Sequence, residues 1–263
     1  MIVERIWAAN ELRNFHYVVA CSETGEALVI DPLDWRACLA RANERGWKIT
    51  QIVNTHEHRD HTAGNAELVK ATGARVCAHA RGAAAIGGVD QALVAGDVIR
   101  VGRSVELECL DTPGHTLAHV CLLAHAEGSA LFSGDTLFNA GAGNVHNGGD
   151  VNALYSTFAE QLARLPDNTL VYPGHDYIEN NLKFTLAQEP DNAAAQALLP
   201  AVTDHDPAQS AVTTMAEEKL INAFLRLSSP SLIAKLREQF PELRDQPDAK
   251  TVFAKLRELR NHW

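Results

Sequence analysis

Short apolar runs alternate with turn-forming residues through the first half of the chain, and the period lengthens in the second half. Ile2–Ala8, Tyr17–Ser22 and Ala27–Ile30 read as strands, separated by Asn10 and by Glu23-Thr24-Gly25-Glu26. Trp35 to Arg45 is predicted helical, with Asp34 as N-cap and Gly46 just past its end. Ile49–Val53 reads as a strand running into the loop Asn54–Asn65, and Ala66–Ala71 as a helix ending near Gly73. Strands are then expected over Arg75–His79, Asp97–Val101, Val105–Leu110, Val120–Leu123 and Ala130–Phe132. Two sheets of mixed strands with helices between them predict an α/β sandwich.

After about Asp150 the apolar positions recur every 3.6 residues, with Leu154, Phe158, Leu162 and Leu165 on one face. Leu170-Val171-Tyr172 reads as a last short strand. From Tyr177 onward only helices are predicted, over 177–188, 191–199, 215–226, 230–239 and 248–261. The last places Val252, Phe253, Leu256 and Leu259 along one stripe. The pattern divides the chain near Asp176.

Composition narrows the field. With 263 residues, 46% hydrophobic and 21% charged, the chain reads as an ordinary globular protein. No apolar run is long enough to span a bilayer. The N-terminal stretch has no apolar core of a secretory signal. The five cysteines are odd in number and form no C-x-x-C, so they read as buried apolar residues in a reducing, cytoplasmic setting rather than a disulfide framework. A net charge of -10 argues against a nucleic-acid partner, though not against a small anionic ligand at a local basic patch. No membrane association is expected, and a monomer is favoured.

The twelve histidines matter through their clustering. In Thr55-His56-Glu57-His58-Arg59-Asp60-His61, three donors, His56, His58 and Asp60, stand two apart. An extended chain puts such positions on one side, and His61 must point elsewhere. Four donors within six residues divide naturally between two nearby metal ions. Imidazole and carboxylate suit Zn²⁺, and also Fe or Mn. The plain alternative is a histidine-rich surface loop. Three more donors recur in like settings, each after a strand and directly behind a glycine: His115 in Thr112-Pro113-Gly114-His115-Thr116, Asp135 in Ser133-Gly134-Asp135-Thr136, and His175 in Tyr172-Pro173-Gly174-His175-Asp176. Glycine permits the sharp turn that aims such a side chain, and α/β sheets bind ligands at the carboxyl ends of their strands. Any one of these histidines alone would pass for a turn residue; together with the first run they point to metal.

The motifs T-H-x-H-x-D-H, T-P-G-H-T, S-G-D-T-L-F and G-H-D-Y, in this order, resemble the metallo-β-lactamase superfamily and, within it, the glyoxalase II (hydroxyacylglutathione hydrolase) family. The resemblance covers essentially the whole chain and includes Asn181 to Phe184 and the helical tail. It implies a metallo-β-lactamase αββα sandwich over residues 1–176, carrying a dinuclear metal site, and a smaller helical substrate-binding domain over 177–263. His56, His58 and His115 would hold one metal, and Asp60, His61 and His175 the second, with Asp135 bridging both. Two divalent ions, Zn with Fe or Mn as alternatives, would share a bridging hydroxide that attacks a thioester carbonyl. One ion would polarise that carbonyl. A thiol of pKa about 8.5 leaves with little help. The implied substrate is an S-(2-hydroxyacyl)glutathione such as S-D-lactoylglutathione. Glu57 and Arg59 would face solvent or support the loop.

The resemblance also implies a carboxylate grip from two basic residues three apart on the final helix, here Arg257 and Arg260, which share a helix face. Tyr177 matches a tyrosine that contacts the glutathione backbone. The loop Gly141 to Gly149 departs from the family pattern: Asn144 stands for a basic residue and His146 for an aromatic one. A neutral Asn forgoes a charge-assisted bond of about 1.5–3 kcal/mol, so the departure bears on the substrate more than on the reaction. Alternatives are a related hydrolase of another thioester or a lactone, a mononuclear-iron persulfide dioxygenase, or a noncatalytic metal-binding protein.

Overall fold

The computed structural model describes residues 1–125 and 129–263. The α/β sandwich is present, with helices covering both outer faces. One six-stranded sheet runs Ile2–Trp7, Phe15–Ala20, Glu26–Ile30, Lys48–Asn54, Arg75–His79 and Gln91–Leu93 in spatial order. Its first three strands are antiparallel and the rest parallel. The second runs Thr213–Thr214, Leu170–Pro173, Ala130–Gly134, Val120–Ala124, Val105–Asp111 and Val98–Val101. All its pairs are antiparallel except Ala130–Gly134 with Leu170–Pro173.

The pleat explains the layering, because successive side chains of a strand face opposite ways. Tyr17 and Val19 point into the core between the sheets, where they meet Leu107, Leu122 and Phe132. Val18 and Ala20 point outward beneath the helices Trp35–Glu44 and Asn65–Thr72, against Cys38, Ala42 and Leu68. On the second sheet Leu122 and Ala124 face inward. Cys121 and Leu123 face the opposite way, into a core built with Leu154 and Phe158 and with Phe184, Phe224, Phe253 and Leu256 from the region after Tyr177. That helical region is therefore seated on the outer face of the second sheet. All five cysteines are buried and unpaired. Among the described residues, no helix is long and apolar enough to cross a membrane.

Several elements differ from expectation. The helix expected over 215–226 stops at Ile221, because Asn222 turns to an extended backbone and its side chain accepts from Phe224 N to start a 3-10 turn. Thr213–Thr214, in a region expected to be helical throughout, pairs with Leu170–Val171 at the sheet edge. Gln91–Leu93 and the small pair Leu137–Phe138 with Gly141–Ala142 are too short to leave a periodic signal. Arg59–Thr62, expected as loop, is a helical turn.

Candidate metal centre

Five of the seven expected donors lie just beyond the carboxyl end of a strand. His56 and His58 follow Lys48–Asn54, His115 follows Val105–Asp111, Asp135 follows Ala130–Gly134, and His175 follows Leu170–Pro173. The last two strands are parallel neighbours with Gly134 opposite Pro173, which sets Asp135 beside His175. Gly134 has φ +48°, and a Cβ there would lie 2.6 Å from Thr55 Oγ1 and 2.7 Å from His119 Nε2. Gly174 is required for space instead, since a Cβ would lie 2.4 Å from Asp135 Oδ1. The spacing-two reading of Asp60 needs correction. His58 is extended, but the chain then enters the helical turn Arg59–Thr62. Asp60 and His61 thus leave a helix, side by side, instead of alternating along a strand.

The seven expected donors converge. His56 Nε2 is 3.0 Å from His58 Nδ1, which is 3.1 Å from His115 Nε2. His61 Nε2 is 3.2 Å from His175 Nε2 and 3.3 Å from Asp60 Oδ2. Asp135 sits between the groups: its Oδ2 is 3.5 Å from His115 Nε2 and 3.1 Å from His175 Nε2, and its Oδ1 is 3.4 Å from His61 Nε2. Donor atoms within each of the sets His56/His58/His115, His56/His61/Asp135 and Asp60/His61/His175 lie within 4.8 Å of one another.

Proton placement shows what this cluster accepts. The outward nitrogens are already engaged: His115 Nδ1 with the Asn144 carbonyl (2.7 Å), His175 Nδ1 with the Leu12 carbonyl (2.6 Å), His58 Nε2 with the Asn147 carbonyl (3.0 Å) and His61 Nδ1 with Asp31 Oδ2 (2.9 Å). His56 Nδ1 meets Thr55 Oγ1 at 3.0 Å, and that hydroxyl donates to Asp31 Oδ2 at 2.6 Å. These oxygens accept, so the outward nitrogens carry the protons and the inward ones present lone pairs. Inward lone pairs about 3 Å apart repel unless a cation lies among them, and anchoring of the far nitrogen is how metal-binding imidazoles are oriented. Asp135 Oδ1 is buried without a hydrogen-bond partner. Burial alone would raise the pKa of Asp60 and Asp135, but His61 next to Asp60, and His175 and His61 next to Asp135, hold both carboxylates well below their usual range. Burial keeps His56 and His115 neutral by lowering their pKa. At His61 burial is outweighed by Asp135 and Asp31, and its pKa rises well above normal. The extra proton that His61 holds without a metal lies on its inward nitrogen, where a cation would displace it, and it cannot balance both the partly buried Asp60 and the buried Asp135, so the donor set fits divalent cations.

Sequence reasoning missed the residues that brace this cluster. Asp31 accepts from Thr55 N (2.8 Å), Thr55 Oγ1 and His61, and so supports both groups of donors. Asn14 donates to Asp60 Oδ2 at 3.1 Å. His119, fully buried, accepts from Asp135 N at 3.1 Å and stacks on His56. Asp31 carries the signal used for the other donors, a metal-binding side chain directly after a strand, and His119 stands four residues after His115. Asn14 carries no such signal.

A cleft of about 360 Å³ adjoins the cluster and is lined by Asn144, His146, Tyr177, Arg257 and Arg260, with Trp263 at its edge. Tyr177 stacks on His175 with ring centroids 5.0 Å apart, and its hydroxyl donates to the Leu12 carbonyl. Asn144 Oδ1 accepts from His146 N. Arg257 is only 4% exposed; its Nη1 donates to the Ala142 and Gly143 carbonyls (2.8 and 2.9 Å) and its Nε to Asn261 Oδ1. Arg260 donates to Asn181 Oδ1 at 3.1 Å. Among the described residues no carboxylate pairs with either guanidinium. Burial, helped by the neighbouring Arg260, lowers the Arg257 pKa to about 9, and burial lowers that of Arg260. Two guanidinium groups thus line one cleft without a carboxylate partner, and such chemistry suits an anion.

Comparison with known proteins fits this geometry. The family model for the metallo-beta-lactamase superfamily matches residues 12–175, and that for the hydroxyacylglutathione hydrolase C-terminus matches 176–263. The chain is 73% identical over 263 residues to a hydroxyacylglutathione hydrolase of Polaromonas sp., with 100% of both chains covered. It is 60% identical over 263 residues to that of Nitrosococcus oceani, again with 100% of each covered. Among solved structures, ETHE1 from Myxococcus xanthus superposes with a TM-score of 0.69 at 27% identity, covering 99% of this chain and 98% of that one. TTHA1623 in a di-iron-bound form does so with a TM-score of 0.59 at 25% identity, covering 86% and 100%.

Proposed function

Since the chain belongs to the metallo-β-lactamase superfamily and, within it, to the hydroxyacylglutathione hydrolases, we propose that it splits S-(2-hydroxyacyl)glutathione, S-D-lactoylglutathione foremost, at the cluster between His56 and His175. Residues 1–176 supply the metal centre and residues 177–263 most of the substrate cleft. His56, His58 and His115 would hold one divalent cation and Asp60, His61 and His175 a second, with Asp135 placed between the two groups to serve both. Zinc is the expected ion, with iron or manganese as substitutes. Bound there, such a pair supplies a hydroxide nucleophile at neutral pH and Lewis acidity toward the thioester carbonyl.

The chain's own side chains do the rest. The outward hydrogen bonds of the five imidazoles fix ring orientation before substrate arrives, so little reorganisation accompanies the reaction. Arg260 and the remaining edge of Arg257 hold a substrate carboxylate at the far end of the cleft. Tyr177, stacked on His175, forms the wall along which the thiol portion lies. The leaving thiolate departs toward Asn144 and His146, which carry no negative charge to oppose it. The observation that carries this reading is the adjacency of a seven-donor, proton-poor cluster to a cleft ending in two uncompensated guanidinium groups.

The test is to count metal per chain and to assay S-D-lactoylglutathione beside thioesters of other thiols and a panel of lactones. About two ions per chain and glutathione-thioester turnover, lost in Asp135→Ala, are expected. Full activity in the metal-free protein would refute the assignment. Preference for a non-glutathione thioester would keep the chemistry and move the substrate, as the neutral Asn144 allows.

A further inference from the structure

The loop between Asp135 and the helix Val151–Glu160 connects two parts of the molecule through its backbone. On one side, five consecutive residues are each held by a buried side chain from the region after Tyr177. Asn181 donates to the Asn139 carbonyl (2.9 Å), Glu218 accepts from Ala140 N (2.9 Å), and Asn222 donates to the Gly141 carbonyl (3.0 Å). Arg257 takes the Ala142 and Gly143 carbonyls. These four side chains are at most 4% exposed. On the other side, the next residues of the loop hold metal-centre imidazoles: the Asn144 carbonyl takes His115 and the Asn147 carbonyl takes His58. Both belong to the group His56/His58/His115. The other group has different supports, with Leu12 holding His175, Asn14 holding Asp60, and Asp31 holding His61.

We infer that the helical region, beyond lining the cleft, sets the affinity of one of the two cations: Asn181, Glu218, Asn222 and Arg257 hold residues 139–143 so that the Asn144 and Asn147 carbonyls aim His115 and His58. These four are positioning residues for the His56/His58/His115 cation, whereas the imidazoles and carboxylate of the Asp60/His61/His175 group take their outer hydrogen bonds elsewhere. The physical reason is the rigidity of the route. Ala140 sits at φ +58°, a conformation a non-glycine residue keeps only when its surroundings impose it. Gly143 packs so closely under the metal loop that a Cβ would lie 1.9 Å from the Asp135 carbonyl oxygen. Such a segment has few alternative shapes, and outer hydrogen-bond partners of metal-binding imidazoles are worth about 10–100-fold in affinity.

The inference rests on the dinuclear reading, and zinc titration of the metal-free protein against a chromophoric chelator separates the two. Wild type should take up two ions. In Arg257→Met, which keeps the side chain's apolar stem, and in Asn222→Ala, which lies outside the cleft, one ion should bind at least about tenfold more weakly and the other as in wild type. Arg257→Lys, able to reach one carbonyl, should restore part of the loss. Asn14→Ala should weaken the other ion, and its combination with Arg257→Met should weaken both. Two ions held at wild-type affinity in both Arg257→Met and Asn222→Ala, or equal weakening of both ions, would overturn the inference while leaving the dinuclear site intact. Fewer than two ions in wild type would overturn both.

Discussion

Replacing Asp31 should cost both stability and metal, in proportions the structure sets. The carboxylate is 2% exposed and accepts three hydrogen bonds, from Thr55 N, Thr55 Oγ1 and His61 Nδ1. In Asp31→Ala the Thr55 N–H and the His61 Nδ1–H have nowhere else to turn. At about 1–3 kcal/mol per buried unsatisfied donor, the loss is roughly 2–6 kcal/mol before relaxation. Residue 31 also has φ +53°, which Asp and Asn tolerate better than Ala. Asp31→Asn therefore separates backbone from chemistry. It keeps the left-handed residue and an oxygen for Thr55 N–H, but turns an NH₂ toward the Thr55 hydroxyl and His61 Nδ1–H. Both variants release His61 directly and His56 through Thr55, so each cation should bind about 10–100-fold more weakly. Thermal melts of metal-free protein should place Asn between wild type and Ala. Zinc titrations should place the two variants together, well below wild type. Affinity within twofold of wild type in Asp31→Asn would show that the Asp31–Thr55–His56 and Asp31–His61 links do not orient the rings.

Two further outcomes follow from buried charge. Burial raises the pKa of Glu218 to about 7, because the hydrogen bonds from Thr213, Asn222 and Ala140 only partly offset desolvation. The folded state thus binds this proton more tightly than the unfolded chain. Its stabilising contribution is complete below the ordinary carboxyl pKa of about 4.5 and is lost as pH rises through about 7, a span worth on the order of 3 kcal/mol. Urea melts of metal-free protein between pH 4.5 and 8 should show wild type losing stability relative to Glu218→Gln as pH rises; parallel curves would rule the coupling out. Arg260→Ala should raise KM for glutathione thioesters at least about tenfold with kcat nearly unchanged, and an unaltered KM in steady-state kinetics would remove the carboxylate grip.

The sandwich and the seven donors are legible in the sequence for related reasons. Strands such as Phe15–Ala20 and Val120–Ala124 are buried on both faces, so they read as continuous apolar runs. Most of the donors stand where such runs end, and His115, Asp135 and His175 directly follow glycines whose missing side chains are required by contacts such as that of Gly174 with Asp135. What escapes is set by partners distant in sequence. Asp31 becomes an anchor only because His61 arrives from the helical turn Arg59–Thr62, and Arg257 meets Ala142 across 115 residues. The expected carboxylate grip of Arg257 came from the family resemblance, with helix spacing in support, and neither says which main-chain groups already occupy the side chain. Asn222 ends a helix that periodicity would continue, because its side chain serves Gly141 and Phe224 at once. The loop substitutions at Asn144 and His146 look severe in sequence. In the fold the Asn144 main chain, which any residue supplies, makes the contact to His115.

The joining of His61 to His175 across 114 residues has a consequence for biogenesis. With Asp60, His61 and His175 holding the second ion as proposed, a nascent chain would not chelate it until synthesis had passed the strand Leu170–Pro173 and the parallel pairing beside it had closed, a slow, non-local event. Loading of the proposed site would thereby follow closure of this pairing, and the supply of that ion would bear on how long each molecule survives proteolysis, since whatever binds only the native form shifts the balance toward it by mass action.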